Sequence, residues 1–233
     1  MLSFQTILND VISLLYPNLC LACREHTPAR GEIICLRCQH KLPKTNFHLE
    51  RENPFTERFW GRIPIESGAA LYHFVRGGRV QELLHRLKYL GKADVGLRLG
   101  QWYGEMLRES PYFREVDLIV PVPLHPRKER LRGYNQSALF AKGLSETLRK
   151  PWLKNGLVRT SFTESQTQKS RAERLENVME VFAVGNAAQL TSKHVLVVDD
   201  VMTTGATLEA CGLKILELPG TKLSFATIAI AGD

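Results

Sequence analysis

His194-Val-Leu-Val-Val-Asp199-Asp200-Val-Met-Thr203-Thr204-Gly205-Ala206-Thr207 decides the reading of this chain. Four consecutive apolar residues, three of them Val, suit a strand buried on both faces of a parallel sheet. Two carboxylates follow, at the strand end outside which ligands of open α/β sheets bind. The run then passes into a small-residue turn that opens a helix, where Thr hydroxyls, free backbone N–H groups and the helix dipole hold anions. One short stretch thus offers hydroxyl acceptors beside a phosphate cradle, a pairing that suits a sugar phosphate. An apolar strand ending in Asp also occurs as a Walker B element. That reading needs a G-x-x-x-x-G-K-[ST] partner, which the chain lacks.

The stretch resembles the phosphoribosyltransferase signature, in which a strand is followed by two acidic residues and a Thr-Thr-Gly-Ala/Ser-Thr loop. The resemblance implies that Asp199 and Asp200 face the ribose hydroxyls of phosphoribosyl pyrophosphate, as its catalytic pair, and that Thr203, Thr204, Gly205, Ala206 and Thr207 bind its 5′-phosphate. It also implies Mg2+ bound with that ligand.

Working outward, strands alternate with helices. Ala69 to Val75 reads as a strand, Val80 to Leu90 as an amphipathic helix ending near Gly91, and Val95 to Leu107 as a second helix. Leu118 to Val120 is an apolar strand that runs into a proline bend. A helix follows from about Gln136 to Leu148. The last unit is the Val195 to Val198 strand, a helix from about Ala206 to Leu218 and a strand at Leu223 to Ile230. Such alternation predicts an α/β fold with a parallel sheet flanked by helices. With the resemblance, the expected fold class is a type I phosphoribosyltransferase-like domain carrying a small N-terminal four-cysteine zinc module.

Cys20-x-x-Cys23 and Cys35-x-x-Cys38 are separated by eleven residues. Two such knuckles can wrap four thiolates around one tetrahedral Zn2+ and leave no open position, so the metal is expected to be structural. His26 and His40 are expected to face solvent, and Cys211 to be a buried small hydrophobe. His73, His85 and His125 are isolated and read as structural.

The expected organisation is therefore residues 1–45 as a helix and zinc module, 46–66 as a linker or ordered extension, and 67–233 as the phosphoribosyltransferase-like domain. Met1 to Tyr16 places apolar residues at helical spacing, suited to packing on its own protein or to docking on a membrane surface or partner.

Two further segments carry basic chemistry. Arg127, Lys128, Arg130 and Arg132 crowd a predicted loop after the Leu118 to Val120 strand, in the place where this fold binds pyrophosphate. Guanidinium and ammonium groups there would neutralise charge that grows on a leaving pyrophosphate. Thr163 to Asn177 is polar almost throughout and reads as a flap, with Lys169, Arg171 and Arg174 able to reach the same group on closure.

The net charge of +7 favours polyanionic ligands. No apolar run spans a bilayer, and the N-terminus lacks the basic start and cleavage site of a secretory signal. A cytoplasmic protein without a transmembrane segment is expected.

The ordered set of motifs, from the cysteine knuckles through Leu87 to Tyr89, Arg132-Gly133-Tyr134-Asn135-Gln136 and the flap to Asp199 and Asp200, resembles the ComF family. That family joins a zinc finger to a phosphoribosyltransferase domain and accompanies a cytoplasmic helicase in the uptake and use of external DNA. The resemblance implies phosphoribosyl pyrophosphate as ligand, with single-stranded DNA and a DNA-uptake helicase as partners. Three roles follow for the site: transfer at C1′, sensing of the ligand, or strand handling without transfer. Base-salvage members of the wider phosphoribosyltransferase superfamily usually carry a hood that recognises the base where this chain has a metal knuckle, which argues against a free base as substrate.

Overall fold

A computed structural model describes residues 18–160 and 181–232. The N-terminal helix expected within Met1 to Tyr16, and the flap with Lys169, Arg171 and Arg174, lie outside the described residues.

Among the described residues, β1 (Ser67–Phe74), β2 (Leu118–Pro121), β5 (His194–Met202) and β6 (Lys222–Ala231) form one parallel sheet in the order β1-β6-β5-β2. Two three-residue strands, β3 (Leu157–Arg159) and β4 (Phe182–Val184), make a separate antiparallel pair. The helices are α1 (Leu36–Lys41), α2 (Arg79–Tyr89), α3 (Asp94–Glu109), α4 (Pro126–Arg132), α5 (Gln136–Leu148), α6 (Ala187–Leu190) and α7 (Ala206–Leu216).

The sheet is covered on both faces, as its continuous apolar strands require. Side chains alternate along β5 with the strand period of two. Leu196 and Val198 join the core beneath α2, α3 and α5, while Val195 and Val197 join the core beneath α7. Cys20, Cys35 and Cys38 are buried in the first of these cores with Leu71 and Leu99, so the cysteine module is seated on the sheet domain.

Helices α3 and α5 press together backbone to backbone. A Cβ on Gly143 would lie 2.1 Å from the Leu97 carbonyl oxygen, and one on Gly100 would lie 2.4 Å from that of Phe140. Glycine at both positions is what permits the contact.

The segment between cysteine module and sheet is an ordered extension. It forms 3-10 turns at Phe47–Leu49 and Thr56–Phe59. Phe55 and Phe59 are buried, with ring centroids of Phe59 and Phe225 4.8 Å apart. Phe55 nests on Gly68 of β1, where an added Cβ would meet its ring at 2.7 Å.

Two expectations change in detail. The basic stretch read as a loop is helix α4, with Pro126 in its first turn, His125 Nδ1 accepting the Arg127 N–H at 3.1 Å, and Gly133 closing it at φ +81°. Strand β5 runs on to Met202, so Asp199 and Asp200 lie within its last turns of pleat.

Candidate functional site

Strand β2 pairs with β5 only as far as Pro121 opposite Val198, whereas β6 continues alongside to Ile230 opposite Met202. The carboxylate end of β5 therefore projects past β2 and opens toward the N-terminus of α5. Asn135 caps that helix by accepting the Ser137 N–H at 3.0 Å, and its Nδ2 donates to the Val122 carbonyl at 2.9 Å. This pins Ser137 where its hydroxyl donates to Asp199 Oδ1 at 2.7 Å. The Asp200 N–H donates to the same oxygen at 2.8 Å.

Asp200 turns the other way, to Lys88 in the last turn of α2, with Nζ 3.0 Å from Oδ2. Burial and the neighbouring Asp200 charge push the Asp199 carboxyl up to about 7, against the opposing pull of the Ser137 hydroxyl, the Asp200 N–H and Lys88. Two adjacent carboxylates with one close ammonium among the described residues make a site that gains from hydroxyl donors or a cation.

After Met202 the chain turns through Thr203 and Thr204, and Gly205 precedes α7 at φ +81°. A Cβ at Gly205 would sit 3.1 Å from the Phe59 ring, so the backbone conformation calls for glycine and the space beside it is tight. Asp199 and Thr203 to Thr207 line one small cavity at this helix N-terminus. That arrangement suits an anion held by backbone N–H groups next to a carboxylate that accepts from hydroxyls.

The connecting extension closes the back of the loop. Arg58 donates to the Thr203 carbonyl at 2.8 Å and to the Ala231 carbonyl at 3.0 Å. Arg62 donates to the Thr204 carbonyl at 3.2 Å and pairs with Glu209 in the first turn of α7. A cavity of about 600 Å3 lies against this extension and not at the carboxylates. Its lining includes Arg51, Phe59, Trp60 and Arg62.

The basic residues of α4 divide. Arg132 lies over the Tyr89 ring, 5.3 Å from its centroid, while Arg127, Lys128 and Arg130 are exposed on the helix surface. Tyr134 donates from its hydroxyl to the Leu87 carbonyl at 2.6 Å, which holds α4 and its following turn against the end of α2. Lys88, Ser137, Arg58 and Arg62 are site neighbours that the motif reading left without a role.

Cys20, Cys23, Cys35 and Cys38 bring their sulfurs within 4.8 Å of one another, and Cys23 and Cys35 stand 3.9 Å apart. Tetrahedral Zn2+ with bonds of about 2.3 Å requires sulfurs about 3.8 Å apart, so the cluster fits the ion. Backbone N–H groups of Ala22 and Cys35 donate to Cys20 Sγ at 3.4 and 3.3 Å. Burial opposes ionisation of Cys23, yet the Glu25 N–H and His26 outweigh it and lower its thiol to about 6. Burial raises the Cys38 thiol, aided by the neighbouring thiols, so a metal would have to displace its proton. His26 and His40 are exposed and Cys211 is buried on α7, as expected. His26 nonetheless lies close to the cluster, its Nδ1 3.7 Å from Cys23 Sγ. No helix among the described residues is long and apolar enough to cross a membrane.

No protein-family model matches the chain. DNA utilization protein YhgH of Escherichia coli O157:H7 is 32% identical over 219 residues, covering 84% of this chain and 89% of that protein. Competence protein ComFC of Bacillus subtilis is 24% identical over 200 residues, covering 80% and 79% of the two chains. Among solved structures, glutamine phosphoribosylpyrophosphate amidotransferase from B. subtilis, complexed with ADP and GMP, is similar at TM-score 0.43 and 21% identity, over 62% of this chain and 30% of that one.

Proposed function

The chain belongs to the ComF family, with DNA utilization protein YhgH and competence protein ComFC, and on that premise we propose that it binds phosphoribosyl pyrophosphate with Mg2+ in support of DNA uptake and use. The observation that carries this reading is the continuity of β5, the loop Thr203 to Thr207 and α7. It brings the Asp199 carboxylate and the small-residue loop at the start of α7 to one small cavity, which supports a ligand that carries both hydroxyls and a phosphate.

Asp199 and Asp200 accept the ribose 2′ and 3′ hydroxyls, and the N–H groups and hydroxyls of Thr203 to Thr207 hold the 5′-phosphate. Lys88, already 3.0 Å from Asp200, keeps the acidic pair from repelling its ligand. Carboxylate oxygens are the hard donors that Mg2+ prefers, so the residues fit the ion. When bound, it would neutralise pyrophosphate charge. The reaction such a site serves is displacement at C1′, in which the protein orients the sugar while α4 and the flap supply positive charge.

In the cysteine module, Cys20, Cys23, Cys35 and Cys38 hold one structural Zn2+. Titration calorimetry with phosphoribosyl pyrophosphate and Mg2+ tests the ligand. Saturable binding that disappears in Asp199→Ala/Asp200→Ala is expected, and a wild type that gives no heat at millimolar ligand rejects it.

A second reading, single-stranded DNA handling on the same fold, is favoured by two exposed aromatic platforms beside basic groups. Tyr89 is 64% exposed beneath Arg132, and Trp60 is 61% exposed near Arg51 and Arg62. Bases stack on such rings while the backbone contacts cations. The reading predicts binding that weakens steeply with salt and falls in Tyr89→Ala or Trp60→Ala. Salt-independent or absent binding removes it.

A further inference from the structure

Resting on the phosphate-binding reading of Thr203 to Thr207, we propose that Arg58 and Arg62 are positioning residues that aim the phosphate loop from behind. A trans peptide carries its C=O and the following N–H in one rigid plane, pointing in opposite directions, and the described chain has no cis peptide bonds. Arg58 holds the Thr203 carbonyl, which directs the Thr204 N–H to the opposite side. Arg62 holds the Thr204 carbonyl and does the same for the Gly205 N–H. Two successive peptide planes are thereby set by side chains from a segment 142 to 145 residues away in sequence.

Each guanidinium is itself fixed. Arg58 bridges to the Ala231 carbonyl at the end of β6, so the loop after β5 is tied to the neighbouring strand. Arg62 is forked onto both oxygens of Glu209 and also donates to the Arg58 carbonyl at 2.8 Å. A planar fork that grips a carboxylate and a carbonyl at once is specific to arginine. Below them, Phe59 packs against Gly205, and Phe55 and Phe59 anchor the segment in the core. The loop is preorganised before any ligand arrives, so ordering its N–H groups costs binding little. The two positive charges also sit directly behind the anion cradle.

The test uses the full chain with Arg58→Ala, Arg62→Gln and, as a control, Arg51→Ala. Arg51 pairs with Glu66 on the same segment at 3.4 Å, apart from the loop carbonyls. Two readouts are taken: the affinity for phosphoribosyl pyrophosphate with Mg2+, and the backbone 15N order parameters of Thr204 and Gly205 without ligand. Arg58→Ala and Arg62→Gln are each expected to weaken affinity about tenfold, the scale of one lost charge-assisted contact's orientation. They also lower the order parameters of both amides, while Arg51→Ala changes neither. Methylguanidinium restores order at the loop in Arg58→Ala. If the wild type does not bind the ligand, the function above falls, and the order parameters alone decide this inference. Unchanged loop order in both variants overturns it, as does unchanged affinity beside a wild type that binds. Arg62→Gln, at an exposed side chain, keeps the test open should Arg58→Ala fail to fold.

Discussion

Lys88 Nζ stands 3.0 Å from Asp200 Oδ2, tying the last turn of α2 to the carboxylate end of β5. The lysine side chain is a quarter exposed and the aspartate less so, which places the pair between the surface and buried regimes of ion pairing. Lys88→Met is expected to cost about 1–2 kcal/mol, because the Asp200 charge loses its close counter-ion. The same change raises the Asp199 carboxyl further, since Lys88 helps hold it down. Urea unfolding and carboxyl 13C titration read the two effects. An unshifted Asp199 titration in the variant would show that Lys88 does not act on the acidic pair.

Stability should depend on pH through Asp199. In the unfolded chain an Asp ionises near ~4, whereas burial and Asp200 raise this carboxyl to about 7 in the folded chain. The folded state thus binds more protons between those values, and stability falls as pH rises from about 4 through about 7. Asp199→Asn removes the titrating group, flattens that slope and leaves the variant more stable than wild type above pH 7. It also loses ligand affinity, because an amide accepts ribose hydroxyls less well than a carboxylate. In the wild type, affinity rises as pH passes through about 7. Parallel unfolding curves for the two proteins from pH 5 to 8 would count against the buried, charge-coupled Asp199.

At Gly205 the backbone and the Phe59 ring act together. A side chain there meets φ +81° and a ring atom 3.1 Å from its Cβ. Gly205→Ala is expected to lose about 1 kcal/mol or more of stability, with a larger proportional loss of phosphate affinity as the loop shifts off its arginine contacts. Thermal unfolding and calorimetry measure both. A variant that binds as the wild type does would place the anion elsewhere.

The cysteine cluster should carry one zinc per chain by elemental analysis. Because Cys20, Cys35 and Cys38 are buried in a core shared with Leu71 and Leu99, chelation is expected to lower the melting temperature of the whole chain. Cys35→Ser should reproduce the loss. A protein that keeps its melting temperature after complete zinc removal would contradict a structural metal.

Much of this fold is legible in the sequence. The β5–loop–α7 unit could be read because a buried parallel strand is continuously apolar and the turn after it needs small residues. The bounds of α2 and α3 followed from helical spacing, to within two residues of those observed. Three parts were not legible, for physical reasons. The extension around Phe55 and Phe59 buries its rings through 3-10 turns of irregular period, so no helix or strand pattern marks it. Helix α4 buries no residue and so has no apolar stripe; Pro126 and Gly133 were its signal, at the first turn and just past the end. Strands β3 and β4 have three residues each, too few for alternation to show. The partners of the acidic pair, Lys88 and Ser137, come together only through the packing of α2 and α5 on the sheet.

In the proposed function the carboxylates and the Thr203 to Thr207 loop hold one ligand between them. A crystal structure grown with phosphoribosyl pyrophosphate and Mg2+ tests it most directly. The 5′-phosphate is expected within hydrogen-bonding distance of the Thr204 and Gly205 N–H groups, and the ribose hydroxyls on Asp199 and Asp200. Ligand seated instead in the 600 Å3 cavity lined by Arg51 and Trp60, with the acidic pair still held by Ser137 and Lys88, would contradict it.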